Sequence, residues 1–116
     1  MDPTKNNILL DIGGNIGYRF REIWNYFERI IVVDLYKEAM KAVKREVRHA
    51  QTIIGDARNL PLDDESVDYV FSNAVIEHIS RERRHLFASE IERVVRKGYF
   101  ITTPNYYFPY EPHDYE

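Results

Sequence analysis

The chain has 116 residues, of which 44% are hydrophobic and 30% charged, and its formal net charge is −3. This balance predicts one globular domain over residues 1–116, and it gives no overall attraction to nucleic acid, which stays possible only through a local basic patch. The absence of cysteine excludes disulfides and thiolate metal sites, and no apolar run reaches the roughly 20 residues that span a bilayer, so we expect a cytoplasmic protein without a membrane partner.

Apolar residues along the chain follow two alternating patterns, which predict strands separated by helices. The predicted strands cover 8–12, 30–34, 52–54, 67–72 and 99–102, and the predicted helices cover 20–27, 36–47 and 86–95. Gly98 is expected to cap the third helix at its C-terminus. Strands that alternate with helices in this way favour a doubly wound α/β fold, in which a mainly parallel five-stranded sheet carries helices on both faces.

Glycines follow the first predicted strand closely, because Gly13, Gly14 and Gly17 lie within five positions, just before a helical pattern begins. This order is typical of a tight turn that binds a nucleotide at the start of a helix. A dinucleotide motif requires glycines at its first, third and sixth positions, which are occupied here by Gly13, Asn15 and Tyr18. The spacing therefore opposes a nicotinamide-dependent oxidoreductase and favours a different nucleoside ligand.

Acidic or amide side chains stand at or near the ends of four predicted strands. They are Asp11, Asp34, Asp56 and Asn73. Any one of these residues alone is more often a turn former or a helix cap than a ligand contact. The carboxyl ends of parallel strands meet at one edge of a sheet, however, so these side chains are expected to lie close together. Carboxylates and amides suit a ligand with hydroxyl and amino groups, whereas a polyphosphate would need basic residues and backbone amides.

Three motifs, taken in this order, resemble those of the class I S-adenosylmethionine-dependent methyltransferases, particularly the small-molecule branch of that family. LLDIGGNIG is similar to the acidic residue and GxGxG turn of the first motif, and IVVDL is similar to the second. GDARNLPLDDESVDYVFSNAVIEHI, which starts at Gly55, is similar to the third and is the most specific match. The resemblance covers residues 8 to about 104. It implies a Rossmann-like sheet that stops after the fifth strand, where the family usually has seven.

The resemblance implies that the chain binds S-adenosylmethionine, whose product after methyl transfer is S-adenosylhomocysteine. Asp34 would accept hydrogen bonds from the ribose hydroxyls, and Asp56 with the Ala57 backbone amide would bind adenine. Asp11 would face the methionine part, and Asn15, which replaces the family's middle glycine, is a residue that tolerates positive φ. The complete set of implied cofactor contacts is Asp11, Gly13, Gly14, Asn15, Gly17, Asp34, Leu35, Asp56, Ala57 and Asn73.

The candidate catalytic residue is His78, which with Glu77 resembles the family's Glu-His pair after the fourth strand. An imidazole can accept a proton near neutral pH, although this one could equally brace the following loop. The segment SNAVIEH lacks the Asn/Asp-Pro-Pro-aromatic motif of enzymes that methylate nucleobase amino groups, so the acceptor is unknown. A basic cluster near the start of the third helix is either a solvated face or a site for an anionic substrate or partner. It comprises Arg81, Arg83, Arg84 and His85.

The chain continues beyond the fifth predicted strand into an aromatic tail, residues 106–116. An uncovered fifth strand would be an exposed sheet edge, so we expect a homodimer formed through that edge and the tail. Alternatively, the tail folds back as a lid with His113 near the methyl group. The leading functional hypothesis is a minimal methyltransferase. The alternative is a cofactor-binding but non-catalytic subunit that acts through a protein partner.

Overall fold

The computed structural model describes residues 7–13, 24–46, 50–73, 75–102 and 107–110. Its strands are β1 (Ile8–Ile12), β2 (Arg29–Asp34), β3 (Ala50–Ile54), β4 (Val67–Asn73), β5 (Val95–Thr102) and β6 (Tyr107–Tyr110), and its helices are α1 (Lys37–Glu46) and α2 (Arg84–Val94). Two short 3₁₀ turns, Ile76–His78 and Arg81–Arg83, connect β4 to α2. The described strands form one sheet in the order β3-β2-β1-β4-β5-β6.

The first five strands of this sheet are parallel, which confirms the predicted doubly wound architecture. Both faces of the sheet are covered by a buried apolar layer. One layer packs α1 through Met40 and Val43 against Leu9 and Val32, together with Trp24. The other packs α2 against the opposite face of the same strands. It includes Leu10, Ile12, Val33, Val70, Phe87, Ile91 and Val94.

A sixth, antiparallel strand extends the sheet beyond the five that the sequence pattern predicts. β6 pairs with β5 from Tyr99 opposite Tyr110 to Thr102 opposite Tyr107. Aromatic residues favour extended backbone, and Pro109 is tolerated because β6 is the outermost strand on this side. Part of the expected aromatic tail is therefore a strand, and it covers the β5 edge that was expected to be exposed. Here β6, and not a second copy of the chain, pairs with β5, and the predicted homodimer stays a prediction.

The junction between α2 and β5 differs from the expected glycine cap. α2 ends at Val94, and the Val95 backbone N–H donates to the Ile91 carbonyl as β5 begins at once. Gly98 instead lies inside β5 opposite Tyr69, next to a shift in the pairing register of β4 and β5. Glycine is common at such irregularities because it adapts to the local twist of a strand.

Half of the first predicted helix, residues 20–23, lies outside the described residues. Its predicted core residues Trp24 and Phe27 are described, and both are buried. Within the described part of the chain, no helix combines the length and apolar character needed to cross a membrane.

Candidate functional site

A cavity of about 630 Å³ opens at the carboxyl edge of the sheet. Its walls are formed by residues at or just beyond the ends of β1, β2, β3 and β4, and the strand order reverses between β1 and β4 at this point. Ligands of open α/β sheets bind in such a crevice, outside the carboxyl ends of the strands where the order reverses. The volume lies in the range of small-molecule sites. The cavity is therefore the candidate ligand site.

The wall at the end of β1 is formed by Ile12 and Gly13. Gly13 adopts a φ of +77°, and its N–H donates to the Val33 carbonyl at 2.8 Å. A Cβ at Gly13 would lie 2.5 Å from Val75 Cγ2, which is closer than real Cβ contacts. Both the backbone conformation and the packing therefore require glycine at this position.

The remaining residues of the glycine turn, namely Gly14, Asn15 and Gly17, lie outside the described residues. The cofactor contacts that the family resemblance implies for them stay predictions. In the described part of the turn, Gly13 directly follows β1 and has a positive φ, as a tight glycine turn requires.

Asp34 ends β2 on the cavity wall and is half-buried. Its Oδ1 accepts a hydrogen bond from the Tyr36 N–H at 3.0 Å, while Oδ2 has no hydrogen-bond partner among the residues that the structure describes. Leu35 follows on the same wall with 57% of its surface exposed. A carboxylate oxygen and an apolar surface thus lie side by side at the end of the second strand.

Asp56 and Arg58 form an ion pair on the wall after β3. The Arg58 guanidinium donates from Nη2 to Asp56 Oδ2 at 2.6 Å and from Nε to Oδ1 at 3.0 Å, and the Arg58 backbone N–H donates to Oδ1 at 2.8 Å. The hydrogen bonds from Arg58 hold the pKa of Asp56 below its usual value. Between them, Ala57 is buried, and its N–H has no acceptor in the described part of the chain.

Asp11 does not lie on the described cavity wall. Its side chain is 1% exposed, and Trp24 Nε1 donates to its Oδ2 at 2.8 Å. Burial raises the pKa of Asp11 from 3.8 to about 7. The family resemblance implies contact with the methionine part of the cofactor. The alternation of side chains along β1 places Asp11 on the same face as Leu9, beneath Trp24, and its contact with a cofactor stays a prediction.

The segment that follows β4 contributes a histidine and an arginine to the cavity wall. His78 is exposed on the wall, and its backbone N–H donates to the Val75 carbonyl at 3.0 Å. Of the basic cluster, Arg83 also lines the cavity, and its charge contributes to lowering the pKa of Asp56. Arg84 does not line the cavity, and its Nε donates to the Ile79 carbonyl at 3.0 Å. The side chain of Asn73 lies outside the description.

Arg93 holds the loop after β3 against α2, a role that sequence reasoning missed. Its guanidinium donates to the Leu62 carbonyl at 2.7 Å, to the Leu60 carbonyl at 3.0 Å and to Asp64 Oδ1 at 2.9 Å. Glu90 completes the cluster by accepting from Arg93 Nε at 2.7 Å and from the Leu60 N–H at 2.7 Å. The only sequence signal is a Glu90–Arg93 pair at i,i+3 on a helix that follows an acidic loop.

The residues on this wall fit a nucleoside. Asp34 offers an open carboxylate oxygen, Leu35 and Ala57 offer apolar surface, and the Ala57 N–H offers a donor. Hydroxyls and a planar base are the groups that such a set recognises. Across the described ranges, no group of three or more histidine, aspartate or glutamate side chains is arranged to bind a metal ion.

Comparison with known proteins gives a consistent result. The sequence model of a family described as a methyltransferase domain matches residues 10–102. The chain is 36% identical to a Mycolicibacterium smegmatis protein named a probable S-adenosylmethionine-dependent methyltransferase, in an alignment covering 84% of this chain and 38% of that protein. It is 30% identical to a malonyl-[acyl-carrier protein] O-methyltransferase of Hamiltonella defensa, over 81% of this chain and 36% of that protein.

A solved structure shows the same fold. A chain in the complex that contains the Haloferax volcanii Trm112 methyltransferase activator superposes with a TM-score of 0.77 and 22% identity, covering 87% of this chain and 46% of that chain. The chain described above therefore spans less than half the length of each of these three proteins.

Proposed function

Because the chain belongs to the class I S-adenosylmethionine-dependent methyltransferase family, we propose that its cavity binds S-adenosylmethionine and that the protein transfers the methyl group to an acceptor. The observation that carries the proposal is Asp34, which presents an open carboxylate oxygen at the end of β2, beside Leu35 and across from the Gly13 turn. When bound, the cofactor supplies an electrophilic methyl group on a sulfonium.

The residues of the chain would contribute binding and positioning. Asp34 would accept hydrogen bonds from ribose hydroxyls, and Leu35 with Ala57 would contact the base. Gly13 would let the backbone pass close to the ligand without a Cβ. Alignment of the acceptor and exclusion of water account for most of the rate when the electrophile is already activated. His78, exposed on the wall, would take the proton of an acceptor that must lose one.

Replacing Asp34 by alanine should weaken binding of S-adenosylhomocysteine by about 2–3 kcal/mol, because hydrogen bonds to a charged group have that strength. Asp34→Asn keeps an oxygen for the Tyr36 N–H and loses the charge, so its affinity should lie between those of the wild type and Asp34→Ala. Isothermal titration calorimetry measures both variants. Glu38→Ala, which removes a carboxylate from the exposed first turn of α1, is the matched control.

Two calorimetric results would contradict the proposal. One is a wild-type protein that binds neither S-adenosylmethionine nor S-adenosylhomocysteine below millimolar concentration. The other is an unchanged affinity of the Asp34→Ala variant, which would show that the ribose does not bind at the end of β2.

Replacing His78 by alanine should lower the methyl-transfer rate about a hundredfold for an acceptor that must lose a proton, because a positioned general base contributes an effect of that order. Affinity for S-adenosylhomocysteine should stay unchanged. A turnover assay with oxygen, carbon and nitrogen acceptors measures the rate, and His85→Ala removes an exposed histidine that does not line the cavity. An unchanged rate for such an acceptor would assign His78 to bracing the loop.

The second candidate function is a cofactor-binding, non-catalytic subunit that acts through a protein partner. Its dependence on a partner is supported by one structural relative, which comes from a complex between a methyltransferase activator and a putative methyltransferase. The two functions differ in the turnover assay. The methyltransferase transfers methyl groups as an isolated chain, whereas the subunit alone binds the cofactor without turnover and methyl transfer requires the complex with its partner.

A further inference from the structure

The adenine end of the proposed site contains an ion pair between Asp56 and Arg58. Asp56 stands where the resemblance places the acceptor for the adenine amino group, and Arg58 lies two residues later on the same wall. Both side chains are about one third exposed, with 36% for Asp56 and 32% for Arg58. The pair is therefore open to the cavity and to any ligand that enters it.

Arg58 occupies the acceptor positions of the Asp56 carboxylate. Oδ1 accepts from the backbone N–H and from Nε of Arg58, and Oδ2 accepts from Nη2 at 2.6 Å and from Nε at 3.2 Å. An ionised carboxylate has about four lone-pair sites. Three hydrogens of residue 58 occupy most of these sites, so an amino group of the ligand competes for Asp56 with hydrogen bonds that are also an ion pair.

The same arrangement offers donors to a ligand. A guanidinium has five N–H groups, and the contacts to Asp56 use Nε and one hydrogen of Nη2, so three N–H groups of Arg58 face no partner within the described residues. These groups suit an oxo substituent, which accepts hydrogen bonds, whereas Asp56 alone suits an amino substituent. The pair thus presents both chemistries to the 6-position of a purine.

We propose that Arg58 determines the selectivity of the cavity for the 6-substituent of the purine, and that its pairing with Asp56 reduces the preference for a 6-amino over a 6-oxo ligand. The inference rests on the proposed cofactor function. When the Arg58 side chain is removed, Asp56 still has two neighbours that favour its ionised form, namely the backbone N–H of residue 58 and the charge of Arg83. The ionised carboxylate can therefore still accept a hydrogen bond from the ligand.

The test measures two ligands by calorimetry, S-adenosylhomocysteine and its 6-oxo analogue S-inosylhomocysteine. In Arg58→Ala the ratio of their affinities should shift about tenfold toward the 6-amino ligand, the change expected from one hydrogen bond. Arg58→Lys keeps the charge without the planar fork, so its ratio should shift less. Arg81→Ala removes an exposed arginine that does not line the cavity and should leave the ratio unchanged.

The ratio is insensitive to partial unfolding, because both ligands are measured on the same protein. A ratio in Arg58→Ala that stays within twofold of the wild type, or that moves toward the 6-oxo ligand, overturns the inference while leaving the proposed function intact. If neither the wild type nor Arg58→Ala binds S-adenosylhomocysteine, the proposed function and the inference are both wrong.

Discussion

Replacing Gly13 by alanine should destabilise the protein by about 3 kcal/mol and abolish measurable binding of S-adenosylhomocysteine. A residue forced into a rare backbone region costs about 1–3 kcal/mol of stability, and a steric overlap adds to this cost. The φ of +77° disfavours any side chain, and the new Cβ would lie 2.5 Å from Val75 Cγ2. Valine is branched at Cβ and has little rotamer freedom, so it cannot move aside. Urea denaturation and calorimetry measure the two effects.

Gly55→Ala is the matched control for Gly13→Ala. It also adds a methyl group to a glycine of the cavity wall, but there the nearest atom is Pro61 Cδ at 3.3 Å, and the φ is not left-handed. Its effect on stability should be clearly smaller. The double variant Gly13→Ala with Val75→Ala should recover only part of the loss, because the overlap disappears and the backbone strain remains. A Gly13→Ala variant as stable as the wild type would contradict the described turn.

Replacing Asp11 by asparagine should stabilise the protein by up to roughly 4 kcal/mol above pH 7, and the gain should vanish near pH 4. Burial raises the pKa of Asp11 from 3.8 to about 7. Between these two pH values the folded state therefore still binds a proton that the unfolded state has already lost. The contribution of the carboxyl group to stability is therefore fully present below pH 3.8 and is lost as the pH rises through 7. Asparagine keeps an oxygen for Trp24 Nε1 and does not ionise.

Denaturant unfolding of the wild type and Asp11→Asn at a series of pH values measures this effect as a difference, which cancels the titration of other groups. Asp63→Asn, an exposed substitution of the same kind, is the control. A stability difference that does not change between pH 4 and 8 would show that Asp11 is not held in the buried position beneath Trp24.

The parts of the fold that the sequence predicts well are those carried by local patterns. Apolar runs such as those around Leu10 and Val32 alternate along the chain with segments of helical spacing. This pattern predicts the five parallel strands with helices on both faces that the structure contains. The position of Asp34 on the cavity wall was predictable because it directly ends a strand, and strand ends meet at one edge. Its contact with a ligand stays a prediction.

Other features depend on contacts between distant parts of the chain, which no local pattern contains. Arg93 donates a hydrogen bond to the Leu62 carbonyl, 31 positions away in the sequence. The sequence around an arginine in a helix does not indicate such a distant partner. The orientation of Asp11 follows from the alternation along β1, whereas its hydrogen bond to Trp24 joins two segments that no local pattern connects. Gly98 was expected to be a cap because glycine often ends helices, but a register irregularity between β4 and β5 explains it better.

The central position of β1 has a consequence for biosynthesis. β1 is the first described strand to be made, yet one of its neighbours is β4, and the Ile8 N–H donates to Asp68 Oδ2 across 60 residues. Parallel pairing between segments so far apart is slow to form, because a long loop must close first. Until β4 pairs with β1, the half containing β1, β2 and β3 therefore has one edge of β1 without a partner strand. A ligand of the cavity would not assist this early stage, because the cavity is complete only after β4 and the turn that follows it are in place.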